Sequence, residues 1–212
     1  MTLIHSRENI PNEVNKTIFL AGPTPRDYTV NNSWRTEAIE ILKSLNYDGV
    51  VYIPEERNNP FPKEHLEQQI DWEYETMSSA DAIVFWIPRE LRSDFENIAL
   101  TTNVEFGRFL NTNKLFIGAP KDSERNTYLE YISKDKYKWH TDLYSLLKDC
   151  VEYLGDGVFR EDAEVKIPKH IFESEQFQNW YIPQKSIGNS LTDFSTVSYT
   201  HLRAHETDSY LV

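Results

Sequence analysis

Residues 82–87 read AIVFWI, an unbroken apolar run with the length of a buried strand. A polar loop follows, and residues 101–111 then carry apolar side chains at the spacing of a helix. Glu105 lies near the start of that predicted helix. A carboxylate at the carboxyl edge of a sheet, close to a helix N-terminus, is well placed to stay ionised and to act as a nucleophile. The alternative is a surface glutamate in the first turn, which helices favour for dipole reasons alone.

Outward from this run, strand patterns alternate with helix patterns along residues 16–154. Repeated strand–helix units predict a parallel sheet with helices on both faces, and therefore an α/β fold. Ser33 is a predicted N-cap, because it directly precedes a segment with helical apolar spacing. The predicted strands cover 16–21, 49–53, 82–87, 114–118 and a weaker pattern at 138–141, and the predicted helices cover 33–46, 63–79, 101–111, 126–132 and 142–154.

Ligands of such sheets bind beyond the carboxyl ends of the strands. Three loops are therefore predicted to meet at one site, namely 22–28, 86–102 and 118–120. This arrangement places Glu105 beside residues 22–24. The loop after the first predicted strand has neither the GxxxxGKS/T nor the GxGxxG pattern, so a triphosphate or dinucleotide site is unsupported. The loop is either a tight turn that brings backbone N–H groups to a small ligand or an ordinary turn that ends a strand.

The amino-acid composition limits which binding partners and which cellular compartment are expected. The 212 residues suit one domain with an extension, and the formal net charge of −12 argues against nucleic acid polymers and anionic membranes as partners. Cys150 is the only cysteine, and no CxxC or Cys/His cluster indicates a metal, so we expect no metal and a reducing cytoplasm. Residues 1–15 do not resemble a secretory signal, and no run approaches the roughly 18 apolar residues of a membrane span.

Charged residues near the predicted carboxyl edge allow two interpretations. Arg26, Arg35 and Arg89 lie in or near its loops. A lone arginine is usually a surface ion pair of little energetic weight, whereas several that converge on one site indicate an anionic substrate group such as a 5′-phosphate. Asp81 directly precedes the strand at 82–87, where a carboxylate commonly caps or holds a loop, and we assign it a structural role.

The character of the sequence changes beyond Gly155, and from residue 191 no periodicity holds. Residues 172–181 are predicted to form a short helix at best before Pro183. We divide the chain into a flexible N-terminal segment at 1–15, a domain at 16–155, an extension or linker at 156–190 and a disordered or spurious tail at 191–212.

Short motifs follow one another along the predicted domain: IFLAGPTPR at 18–26, WR at 34–35, PE at 54–55, WE at 72–73, ADAIVFWIPR at 80–89 and TNVEFG at 102–107. No single motif is decisive, but the ordered series resembles the nucleoside 2-deoxyribosyltransferase family, and most closely its broader bacterial and phage-type branch. The resemblance covers roughly residues 16–154. It implies a flavodoxin-like three-layer sandwich around a five-stranded parallel sheet.

By this resemblance, Glu105 is the nucleophile of the family's x-Glu-x-Gly motif, which attacks C1′ of a 2-deoxyribose. Glu73 hydrogen-bonds or protonates the departing base. A second acid of well-studied members is replaced here by Ala99, which leaves Asn103, Thr101 or Thr102 as candidate substitutes. The residues assigned to substrate binding are Gly22, Pro23, Thr24, Trp86, Asn103 and Gly107.

The resemblance implies cleavage of the N-glycosidic bond of 2-deoxyribonucleosides through a deoxyribosyl-enzyme intermediate, with transfer to another base. It implies no cofactor, a nucleoside or nucleotide and a free base as small-molecule partners, and a homo-oligomer. The alternatives are hydrolysis of deoxynucleoside 5′-monophosphates, which the arginines favour, and a non-catalytic nucleotide-binding module, which Ala99 favours. Residues 177–189 resemble a linker into a Nudix-type hydrolase domain, and residues 198–207 resemble translated sequencing adapter, which favours a truncated gene over a natural disordered tail.

Overall fold

The computed structural model of the chain describes residues 1–24, 33–57, 65–89, 99–161 and 165–186. Arg26 and the predicted tail at 191–212 lie outside the described residues. The elements, in chain order, are β1 (Thr2–His5), β2 (Thr17–Ala21), α1 (Trp34–Ser44), β3 (Val50–Ile53), α2 (Leu66–Ser79), β4 (Ala82–Trp86), α3 (Leu100–Phe109), β5 (Leu115–Gly118), α4 (Thr127–Ser133), β6 (Trp139–His140), α5 (Leu143–Leu154), β7 (Val158–Glu161), β8 (Val165–Pro168), α6 (Lys169–Phe172) and α7 (Glu175–Ser186).

The central sheet has six strands in the order β1-β3-β2-β4-β5-β6, and every pairing within it is parallel. The predicted α/β flavodoxin-like arrangement is therefore confirmed. Because the strands are parallel, the carboxyl ends of β2, β3 and β4 open onto the same edge of the sheet. The predicted N-cap is also confirmed, since the Ser33 hydroxyl accepts a hydrogen bond from the backbone N–H of Arg35 at 3.2 Å.

Alternate residues of the central strands pack on opposite faces of the sheet, as the period of two requires. Ile18 and Leu20 of β2 pack with α1 and α5 on one face. Phe19 and Ala21 pack with α2, α3 and α4 on the other face. Trp86 of β4 belongs to the first face, so its ring lies across the sheet from the helices that carry Glu73 and Glu105.

The central sheet has one strand more than the predicted five. Residues 2–5 belong to the predicted flexible N-terminal segment, but they form the edge strand β1, which pairs in parallel with β3. The sequence pattern missed this strand because an edge strand packs only part of its surface, so its apolar run can be short. Only Leu3 and Ile4 are apolar between Thr2 and His5.

The predicted extension forms a small unit of its own. Strands β7 and β8 pair as an antiparallel hairpin, and α7 extends past Pro183, so the prediction of a shorter helix was wrong. Its core consists of Ile167, Ile171, Phe177 and Tyr181. Phe172 stacks on Phe159 with ring centroids 4.0 Å apart. No helix in the described part of the chain is long and apolar enough to cross a membrane.

Candidate active site

The loop after β2 packs tightly onto the end of β4. Gly22 has φ +148°, and a Cβ atom there would lie 2.2 Å from the carbonyl oxygen of Trp86. Only glycine allows both this backbone conformation and this close approach. The indole Nε1 of Trp34, the first residue of α1, donates to the carbonyl of Pro23 at 3.1 Å and so fixes the residue that follows Gly22.

Arg35 holds the same loop from inside the protein, with its side chain only 1% exposed. Its Nε donates to the Leu20 carbonyl at 3.0 Å, and its guanidinium also donates to the Gly22 carbonyl at 2.7 Å and the Thr24 hydroxyl at 3.1 Å. It forms an ion pair with Glu55, which follows β3. A planar guanidinium suits this role, because it offers five N–H donors in a fixed geometry.

Glu55 is fixed from a second side. The Ser33 hydroxyl donates to its Oε1 at 2.7 Å while also capping α1. Sequence reasoning noted Glu55 only as part of a motif and gave it no role. The sequence signal for this cluster is a serine N-cap with an arginine two residues later, together with a glutamate that follows the proline after a strand.

The N-terminal segment lies against the same edge. Arg7 pairs with Glu56, and Glu8 accepts from the guanidinium of Arg57 at 3.0 and 3.2 Å. The Trp72 indole donates to the Glu8 carbonyl at 3.0 Å. Residues 7–8 therefore tie the end of β3 to helix α2 immediately before Glu73.

Glu73 on α2 is half-buried at this edge. Gln69, one turn earlier on the helix, donates its amide N–H to Glu73 Oε1 at 2.9 Å. Burial raises the pKa of Glu73, whereas the Gln69 hydrogen bond and the positive charge of Arg35 lower it. Burial has the larger effect, so Glu73 binds a proton more readily than an exposed glutamate does.

Glu105 is the sixth residue of α3 and lies in its second turn, because the helix begins at Leu100. The expectation of a carboxylate kept ionised by the helix N-terminus is thereby corrected, since the helix-dipole effect falls off within the first turn. Burial, together with the negative charge of Glu73, raises the pKa of Glu105 to about 7, against the lowering effect of Arg35. The fold therefore brings Glu105, Glu73 and Arg35 together from three different helices.

Arg89, after β4, is a second buried arginine, with 7% of its surface exposed. Its guanidinium donates to the Asn103 side-chain oxygen at 2.6 Å and to the Arg125 carbonyl at 3.0 Å. Burial lowers the pKa of Arg89. Within the described residues, its Nε–H is buried without a hydrogen-bond partner, and no carboxylate pairs with its charge.

The candidate substitutes for the missing acid lie in the first turn of α3, and they differ in exposure and in contacts. Ala99 is the N-cap, with φ +54° and no side-chain capping bond. Thr102 is buried and Thr101 is exposed. Asn103 is half-buried, and the hydrogen bond from Arg89 to its side-chain oxygen fixes its orientation.

Three other predicted residues lie in different surroundings. Gly107 is exposed, and a Cβ atom there would meet nothing within 4 Å. Trp86 is buried with its ring against Gly118, so it reaches the edge only through its backbone. Asp81 lies at the opposite, amino edge of the sheet, where its Oδ2 accepts from the backbone N–H and the hydroxyl of Thr17 at 2.8 and 2.9 Å.

A comparison with known families gives this geometry a context. The family model described as nucleoside 2-deoxyribosyltransferase like matches residues 15–123, more than half of the chain. The chain belongs to this family. The matched segment of this nucleoside 2-deoxyribosyltransferase-like protein includes Glu73, Glu105 and the loop after β2, and the resemblance drawn from its motifs is confirmed. No curated protein matches the chain significantly.

Proposed function

We propose that this protein cleaves the N-glycosidic bond of 2-deoxyribonucleosides, with Glu105 as nucleophile and Glu73 as acid, and transfers the sugar to another base. One observation carries the proposal. Two half-buried glutamates on different helices lie close enough for the charge of Glu73 to raise the pKa of Glu105. Neighbouring carboxyls of this kind share a proton, so one can attack while the other donates.

The first step forms an ester. An ionised oxygen of Glu105 bonds to C1′ while the C1′–N bond breaks and its electron pair goes to the base. Glu73 gives its proton to that base. In the second step a nitrogen of the incoming base attacks C1′, the ester bond breaks with its electrons returning to Glu105, and the proton of the incoming nitrogen goes to Glu73.

A 2-deoxy sugar suits this chemistry. Positive charge develops at C1′ as the base departs, and a 2′-hydroxyl would withdraw electrons from that carbon. Without it the charge costs less, and a carboxylate held nearby stabilises the charge further. Gly22, Pro23 and Thr24 are the proposed sugar contacts, because Trp34 and Arg35 fix their backbone at the edge. Asn103 and Gly107 are further proposed contacts on α3.

A second candidate is hydrolysis of deoxynucleoside 5′-monophosphates by the same nucleophile and water. Arg89 favours it, because in the described part of the chain this buried guanidinium has a donor without an acceptor and no paired carboxylate. A phosphate would supply both the hydrogen-bond acceptor and the negative charge. Arg35 adds no support, since it already pairs with Glu55 and donates to the loop.

The proposed homo-oligomer is supported by an exposed apolar surface next to the glutamates. The ring of Tyr74 on α2 packs against the guanidinium of Arg108 on α3 at 3.7 Å, which joins the two helices. The exposed apolar side chains of the surface are Leu66, Ile70, Tyr74, Leu100 and Val104. Sedimentation of the whole protein would measure its mass in solution.

The proposed location is a reducing cytoplasm, because the single cysteine, Cys150, is free and buried.

Trapping the intermediate tests the proposal. Incubation with a 2-fluoro-arabinosyl nucleoside should add the mass of one fluoro-sugar to the intact wild-type protein and none to Glu105→Gln. Incubation with thymidine and adenine should yield deoxyadenosine. Base released only from a monophosphate indicates the second candidate. A folded wild-type protein that shows neither adduct, nor exchange, nor base release would contradict both and leave a binding module.

A further inference from the structure

Arg35 contacts the loop after β2 and acts electrostatically on both glutamates. We propose that Arg35 is a positioning residue, whose buried guanidinium holds the loop after β2 in place and keeps one carboxylate of the Glu73–Glu105 pair ionised. The inference rests on the proposed function and replaces the phosphate-binding role predicted for Arg35 from the sequence.

The first support is the set of hydrogen bonds. Arg35 donates to the carbonyls of Leu20 and Gly22 and to the hydroxyl of Thr24. Its burial and its pairing with Glu55 leave the guanidinium no room to turn towards solvent. A displacement of the guanidinium therefore requires a displacement of the loop, so the charge and the loop occupy fixed positions relative to each other.

The second support is the distribution of charge. In the described residues, the charged groups that act on Glu105 are Glu73 from α2 and Arg35 from α1. Arg35 also acts on Glu73, whose hydrogen-bond donor Gln69 is neutral. Glu55 opposes part of the charge of Arg35. Burial drives both glutamates towards protonation. The Gln69 hydrogen bond opposes this at Glu73, and Arg35 is the described charged group that opposes it at both glutamates.

The chemical consequence is direct. A pair that carries two protons has an acid but no nucleophile, and a pair that carries none has a nucleophile but no acid. A pair with one proton has both. Removal of Arg35 would favour the doubly protonated pair, because burial would then act without an opposing charge.

The test is a titration of the glutamate carboxyl carbons by ¹³C NMR in the full-length protein. Glu105→Gln and Glu73→Gln identify the signals of the pair. In Arg35→Gln the ionisation midpoint of the pair should rise by about one pH unit. Arg35→Lys restores the charge without the fork of donors, so its midpoint should return towards that of the wild type.

A matched control separates charge from loss of structure. Lys16 is also buried and paired, with its Nζ 2.6 Å from Asp48, but it lies at the amino end of β2. Lys16→Met should lower thermal stability and leave the midpoint of the pair unmoved. If Arg35→Gln does not fold, Glu55→Gln provides a second test. It removes the carboxylate that offsets part of the positive charge of Arg35, so the ionisation midpoint of the glutamate pair should fall.

An unmoved midpoint in Arg35→Gln, or a midpoint that stays or rises in Glu55→Gln, would overturn the inference. The titration needs no activity, so it gives an answer even where the proposed function fails. Where base release is present, a one-unit rise lowers the rate about tenfold on the acid side of the pH profile and little on its alkaline side. A merely structural role would instead lower the rate equally at every pH.

Discussion

The two ends of the central sheet differ in how their charged groups are matched. At the amino end, Asp81 accepts two hydrogen bonds from Thr17, and Lys16 pairs with Asp48. Lys114 donates to the carbonyls of Met77 and Ser78 in the last turn of α2 and to that of the C-cap residue Ala80. Each of these charges has partners of opposite polarity and stabilises the fold.

At the carboxyl end the matching is incomplete. Glu73 and Glu105 both have raised pKa values, and the cation that acts on both, Arg35, already pairs with Glu55. No described residue donates a hydrogen bond to the Glu105 carboxylate. Groups that weaken the fold in this way are concentrated at functional sites, where a substrate can supply the missing partner. Unmatched charge therefore distinguishes the proposed site from the amino end more clearly than the number of charges does.

Removal of the nucleophile should have the largest effect. Glu105→Gln should lower the rate of base release at least about 1,000-fold, or roughly 4 kcal/mol of barrier, because no carboxylate remains to attack C1′. The free energy of unfolding of this variant should not fall, because the substitution removes a carboxyl group that is repelled by the charge of Glu73. Steady-state kinetics and urea unfolding measure the two effects. Glu75→Gln, an exposed glutamate of α2 beyond its first turn, is the control and should change neither.

The opposite response is expected at the other end of the sheet. Asp81→Ala leaves the buried N–H and hydroxyl of Thr17 without their acceptor, which should lower the free energy of unfolding by about 2 to 3 kcal/mol. The rate per folded molecule should stay near that of the wild type. Urea unfolding and active-site titration check this. A variant of unchanged stability but lost activity would contradict the structural role of Asp81.

The pH dependence of stability should also differ. The folded pKa of Glu105, about 7, lies above its ordinary value of 4.5, so the folded protein binds this proton more tightly than the unfolded chain does. This contribution is fully present below pH 4.5 and is lost as the pH rises through 7. Between those limits the wild type should lose about 2 kcal/mol relative to Glu105→Gln. Parallel curves for the two proteins would contradict the raised pKa.

The smallest expected effect is a change in stability at Gly107 of α3, near the carboxyl edge of the sheet. Gly107 is an interior residue of α3 with open space around its Cα. Gly107→Ala should therefore raise the free energy of unfolding by about 0.5 to 1 kcal/mol through helix propensity. A gain in stability with a loss of turnover would indicate that the substrate approaches this backbone. Thermal unfolding and kinetics measure both, and a loss of stability would refute the open environment.

The sheet could be predicted from sequence patterns, because buried parallel strands are continuous apolar runs. The place of the candidate site followed from the rule that parallel strands share one carboxyl edge. They did not reveal β1, whose apolar core is only Leu3 and Ile4. They also mistook the electrostatics of Glu105, because burial depends on how α2 and α3 pack. The pairing of Arg35 with Glu55 joins separate segments, and no local pattern records it.

The N-terminal contacts bear on where this protein could be shortened. The matched family segment begins at residue 15, and a gene trimmed to that boundary would encode a compact-looking domain. It would lack β1, which covers one edge of β3, together with the partners of Glu56 and Arg57 and the acceptor of the Trp72 indole. The smallest part of the chain that keeps these contacts therefore starts before the family boundary, at the first strand.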